Sequence, residues 1–95
     1  MSILDDIDGR AQRRHASAHM PAIVTMTAAD YATLRAIAGA VLEEESLRRA
    51  CLRDQHNGPA NRAWNDAIRR RRALAEALAD NDADALARLV KEGGG

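Results

Sequence analysis

Apolar side chains recur at three- and four-residue steps over two long stretches of this chain, with one break between them. In the first stretch Tyr31, Leu34, Ile37, Ala38, Val41 and Leu42 fall on one side of a helix, a broad face that predicts burial. The stripe then narrows to Leu47, Cys51 and Leu52. In the second stretch Trp64, Ala67, Ile68, Arg71, Leu74, Ala75 and Leu78 share a face at heptad-like spacing. The break reads His56-Asn57-Gly58-Pro59, a turn whose proline suits the first turn of the helix that follows. The pattern therefore predicts an antiparallel hairpin of helices, about 27–55 and about 59–80.

Folding the chain back at this turn sets Trp64 near Ala50, Ile68 near Leu47, Leu78 near Leu34 and Arg71 opposite Glu43. It also lays the acidic run Glu43-Glu44-Glu45 alongside the basic run Arg69-Arg70-Arg71-Arg72. Within the first helix, Glu44 and Glu45 each find an arginine four residues on, Arg48 and Arg49. Agreement between the apolar pattern, the turn and the charges is what favours the hairpin.

The ends of the helices are marked as well. Thr27 is the expected N-cap of the first, with Asp30 closing a capping box and Met26 packing on Tyr31 as a hydrophobic staple. Gly39 inside this helix weakens it slightly and suggests close approach of another backbone. Asp80-Asn81-Asp82 ends the second helix and caps a third, about 82–92, whose apolar side is Leu86, Leu89 and Val90. Gly93-Gly94-Gly95 stops it, and its expected seat is the open end of the hairpin near Tyr31 and Leu34.

Ahead of the hairpin, Ser2-Ile3-Leu4-Asp5 has the form of a capping box and predicts a turn or two of helix before Gly9. Arg10 to His19 is basic, rich in small residues and without an apolar stripe, so it reads as a mobile arm or a frayed helix. Pro21-Ala22-Ile23-Val24-Thr25-Met26 has the β-branched content of an extended lead into the hairpin, and Met20 offers an alternative start of translation. The expected fold class is thus all-α: residues 21–95 form one helical domain and residues 1–20 a flexible or partly helical arm.

Composition adjusts this picture. Ninety-five residues can bury only a modest core, and of the 46% hydrophobic content much is alanine, with no Phe, one Trp and one Tyr. Stability assisted by a partner, and self-association into a dimer, are the expected consequences. Lys plus Arg balances Asp plus Glu at 14 each, which argues against a general electrostatic hold on nucleic acid or acidic membranes. The arginine and alanine excess points to a GC-rich bacterial genome or a phage of such a host. A single cysteine, Cys51, forms no internal disulfide, and no apolar run reaches the roughly 20 residues needed to span a bilayer, so a cytoplasmic location without membrane contact is expected.

Candidate chemistry is sparse. His15 and His19 share a helical spacing, but a zinc site needs three or four ligands and only His56 remains to add to them, so no metal and no cofactor is expected. There is no glycine-rich phosphate loop, no activated nucleophile and no carboxylate pair on an apolar wall, so no catalytic residue is nominated and the expectation is a non-enzymatic protein. Arg69, Arg70 and Arg72, supported by Arg62, are the candidates for nucleic-acid contact, although a four-residue run wraps more than a full helical turn and no aromatic side chains interleave. The residues nominated for a protein partner are Tyr31, Leu47, Trp64, Ile68 and Arg71, which serve the hairpin core equally well.

Ile23-Val24-Thr25-Met26-Thr27, Tyr31 and Leu34-Arg35, then Asn61, Trp64 and Ala67, resemble the N-terminal coiled-coil hairpin of bacterial Gre and Rnk-type transcription factors over about residues 21 to 79. The resemblance implies a hairpin whose tip enters the secondary channel of RNA polymerase. Members that promote transcript cleavage carry acidic residues at the tip to hold magnesium. Here the turn reads His56-Asn57-Gly58-Pro59-Ala60, without acids, so cleavage chemistry is not implied, and the second, globular domain of that family is absent. The expected function is a small helical binding or adaptor protein, with a transcription regulator acting through the tip and the basic run as the alternative.

Overall fold

The computed structural model describes residues 2–14 and 23–93. In chain order these form helix α1 (Ile3–Arg10), strand β1 (Gln12–Arg14), strand β2 (Ile23–Thr25), and helices α2 (Ala28–Arg53), α3 (Gly58–Ala79) and α4 (Ala83–Gly93). His15, His19 and the Met20-Pro21 step lie outside the described residues. The molecule is elongated, 53 × 35 × 23 Å, with a radius of gyration of 16.7 Å where a compact chain of this length has about 12 Å.

Local chemistry sets the helix ends. The Ser2 and Thr27 hydroxyls accept from the backbone N–H groups of Asp5 and Asp30, each at 3.1 Å, and so satisfy donors that the first turn leaves open. The Asn57 side chain does the same for Ala60 at 3.1 Å, ahead of Pro59, and Asp82 does it for Ala85 at 3.1 Å. Asn81 links α3 to α4 in the left-handed region, φ 55°, which asparagine tolerates better than most residues. These short-range bonds fix the breaks close to where the sequence put them.

The centre is the antiparallel α2–α3 hairpin, closed at one end by α4. Ala40, Leu74, Ala77 and Leu86 form the buried cluster, with Ile3, Leu78, Ala85, Leu89 and Val90 packed around it. Leu74 is the most enclosed, at 2% exposure. Small residues at Ala40, Ala67 and Ala77 are buried where the helices pack, so the core has little bulk.

The hairpin register differs from the expected one at two of its contacts, Arg71 and Leu78. Arg71 pairs with Glu44 and not with Glu43, and Leu78 shares a hollow with Ile37, Ala40 and Val41. Glu44 lies on the α3 side of α2 together with Cys51, seven residues on, while Glu43 points to the α4 side. The two charged runs do not zip together along their length. A helix presents successive residues about 100° apart, so only one glutamate of the three can face α3.

The N-terminal segment is tied to the hairpin. β1 pairs antiparallel with β2, Arg13 opposite Val24, so Gln12–Arg14 is a short strand where a mobile arm or frayed helix was expected. The Arg10 guanidinium donates to both carboxylate oxygens of Asp30, at 3.0 and 2.8 Å. Asp30 is nearly enclosed, and its carboxyl is held below the usual range by the Arg10 hydrogen bond, with burial opposing and Thr27 assisting. Ile7 is buried, and Leu4, Ile7, Val24, Met26 and Leu34 line one hollow. Met26 thus joins Leu34 rather than stapling Tyr31. The α4 helix does reach Tyr31, whose hollow it lines through Val90 and Gly93, but Leu34 is met by the N-terminal segment instead.

Candidate functional site

Three helices and a short terminal segment cannot surround a helix of 26 residues, about 39 Å long at 1.5 Å per residue. The consequence is visible on α2. Tyr31, Val41, Leu42 and Leu52 are 60%, 51%, 62% and 60% exposed. Val41 and Leu42 belong to the stripe expected in the core, and the structure leaves them outside it. The α2 face toward α3 and α4 is served by Ala40, Glu44, Leu47 and Cys51, and the neighbouring side, some 100° round the helix, is covered only in part: Val41 borders a hollow with Leu74 and Leu78 of α3 yet stays half exposed.

That outer side has a regular composition. Tyr31, Leu34, Ala38, Val41, Glu45, Arg48 and Leu52 follow one another at alternating steps of three and four, the spacing of a coiled-coil seam. At its N-terminal end Leu34 is partly covered by the α1 and β2 segment, where Leu4 and Val24 are themselves exposed. From Ala38 onward it is open. Glu45 accepts from Arg48 Nε and Nη2 at 2.9 and 2.7 Å and from Arg49 Nε at 3.0 Å. These bonds bring the Glu45 carboxyl down to about 2, so a cluster of one carboxylate and two guanidiniums interrupts an otherwise apolar strip. The expected pair of Glu45 with Arg49 forms, whereas Arg48 turns to Glu45 rather than to Glu44, which pairs with Arg71 instead.

The five residues nominated for a partner divide in two. Tyr31 projects to the outside at the rim of a hollow of about 420 Å³ between α2, α3 and α4, whose wall includes Ala36, Gly39, Arg35 and Glu43. Gly39 has no atom within 4 Å of where a Cβ would stand, so it opens this hollow and does not mark a close backbone approach. Leu47, Trp64, Ile68 and Arg71 are half-buried at helical steps from Glu44, Cys51, Ala67 and Leu74, along the inner seam of the hairpin. The Trp64 indole N–H is enclosed and has no acceptor among the described residues.

The basic run fans out around α3. Arg62, Arg69 and Arg72 are exposed, with Arg69 only 3.8 Å from Asp66. Arg70 is half-buried, and its guanidinium fills the space that a side chain at Gly93 would occupy, against the last turn of α4, where backbone carbonyls favour positive charge. Arg71 is committed to Glu44. The tip, Asp54 to His56, is exposed, with the Asp54 carboxylate accepting from the backbone N–H of His56 at 3.1 Å.

Among the described residues no three His, Cys, Asp or Glu side chains gather where they could hold a metal ion, and no helix is long and apolar enough to cross a membrane. The sequence signal for the outer strip was present in the three-and-four spacing. What it could not give was which part of a broad stripe would find cover. Comparison with models of protein families, with curated proteins and with solved structures found no match.

Proposed function

We propose that this chain is a non-enzymatic protein-binding module, an adaptor that works by presenting the outer side of α2 to a protein partner. The observation that carries the reading is the set of large apolar side chains left outside the core on one helix, Val41, Leu42 and Leu52, with Tyr31 beside them. Isolated exposed leucines are ordinary, but Tyr31, Val41 and Leu52 on one three-and-four strip, with Leu42 at its flank, have the form a helix-binding surface takes. The test is a Leu42→Glu variant in an affinity capture from the native host, with circular dichroism as the folding control. The wild type is expected to return one dominant partner or a second copy of itself, and the folded variant to lose it. A wild type that retains nothing and sediments at 10.3 kDa overturns the reading.

A second reading, contact with nucleic acid or RNA polymerase through the tip and the basic run, is supported by the exposure of Arg62, Arg69 and Arg72. Its test is an electrophoretic mobility shift at low salt, lost on replacing Arg69 and Arg72 with alanine. Absence of a shift for the wild type removes nucleic acid from consideration.

A further inference from the structure

We infer that the strip on α2 is covered by a second copy of this chain, with the two α2 helices packed antiparallel about a twofold axis near Ser46 and Leu47. The inference rests on the protein-binding reading and names its occupant.

Three observations lead to it. The chain exposes 7102 Å², whereas a monomer of 10.3 kDa is expected to expose about 5,400 Å², so about 1,700 Å² is in excess. That is about twice the roughly 800 Å² that each partner loses in a standard interface, so one contact between two copies accounts for about half of it. Because the core is made largely of alanine and no large side chain among the described residues is completely enclosed, a chain of this kind gains its missing burial most directly from its own copy.

Position supplies the second argument. The N-terminal segment already covers the strip near Asp30 and Leu34, which leaves about residues 38–53 open, some four turns of helix. A twofold axis at the middle of that open length lets each copy cover the other without displacing α1 or β2. The exposed Leu4 and Val24 then continue the apolar surface beyond the end of the seam.

Charge supplies the third and sets the direction. In a parallel, in-register pair Glu45 would stand beside the partner's Glu45 and Arg48 beside the partner's Arg48, like charges at seam positions. In the antiparallel pair Glu45 meets the partner's Arg48, and Val41 meets the partner's Leu52. Both contacts occur twice by symmetry, as an isologous interface requires. Glu45 keeps donors from both Arg48 and Arg49 of its own chain, so covering it leaves this carboxylate paired, with one positive charge in excess per copy held at the exposed Arg49 on the flank.

The experiment is sedimentation equilibrium of the full chain, followed by cross-linking. The wild type should sediment at twice 10.3 kDa, and Val41→Glu, with unchanged helical circular dichroism, at 10.3 kDa. Leu52→Glu, at a 60% exposed position, is the second variant should Val41→Glu lose its fold. With Cys51 replaced by alanine, a short bismaleimide should join a mixture of Val41→Cys and Leu52→Cys chains, and neither chain alone. A wild type that sediments as a monomer, a dimer indifferent to both glutamate variants, or cross-linking of Val41→Cys to itself each overturns the inference. A monomer that still captures another protein through Leu42 overturns the second copy alone and leaves the protein-binding reading standing.

Discussion

Leu74→Ala is the most direct probe of the fold, because the one side chain enclosed to 2% exposure sits where α2, α3 and α4 meet. The change removes three carbon groups, about 2.4 kcal/mol at about 0.8 kcal/mol each. A cavity term adds to this, but the site borders a hollow lined by Ile37, Val41, Arg71 and Leu78, so solvent fills part of the space and the term stays small. The total is therefore placed at about 3 kcal/mol, in the lower half of the range for buried Leu→Ala. For a domain of this size that is a fall in Tm of roughly 12–24 °C, out of a total stability of about 5–14 kcal/mol. Urea titration followed by circular dichroism at 222 nm reads the free energy, and a thermal scan at the same wavelength reads the Tm. Leu42→Ala is the control, measured at concentrations low enough to keep copies apart. It removes the same atoms from a 62% exposed position and should change stability by less than about 0.5 kcal/mol. A loss below about 1 kcal/mol at Leu74, or equal losses at the two sites, would refute the assignment of the core to this junction.

Arg10→Ala should release α1 and the β1–β2 pairing, seen as faster amide exchange over residues 3–10 while α3 keeps its protection; uniform protection would show that Ile7 alone holds the segment. Arg71→Ala leaves Glu44 half-buried without its cation and should cost about 1–3 kcal/mol in urea titration, whereas Glu43→Gln should be near neutral. Acid should weaken the fold through Glu45 and Asp30. Both carboxyls are held below their ordinary values of 4.5 and 3.8, so their contribution is complete above those values and is lost as pH falls, for Glu45 down to about 2. The difference in Tm between wild type and a Glu45→Gln, Asp30→Asn double variant should therefore be full at pH 7 and shrink steadily as the pH falls below 4. Replacing the Asn57 cap with alanine should cost about 1 kcal/mol and fray the start of α3, read as lost amide protection at Ala60.

Much of the candidate site was legible in part. The three-and-four recurrence from Tyr31 to Leu52 is evident in the sequence and marks Tyr31 for a surface, but the same pattern predicts Val41 and Leu42 in the core. Periodicity records that a face is apolar; it does not record how many elements arrive to cover it. Leu47, Trp64, Ile68 and Arg71 carried the same signal and lie on the hairpin's inner seam. The one-residue shift from Glu43 to Glu44 has a similar origin, since three consecutive glutamates offer the same charge at three different directions around the helix.

The sequence by itself determined the helices, their ends and the hairpin turn, because caps such as Ser2, Thr27, Asn57 and Asp82 act on donors three residues away, and the apolar period needs only the chain's own geometry. Tertiary structure alone decided that Arg10 reaches Asp30 across 20 residues, that Gln12–Arg14 finds Ile23–Thr25, and that α4 and the N-terminal segment cover two sides of α2 and leave the third open. Those outcomes depend on which surfaces compete for the same neighbours, a balance of burial and charge that is settled only when all the elements are packed together.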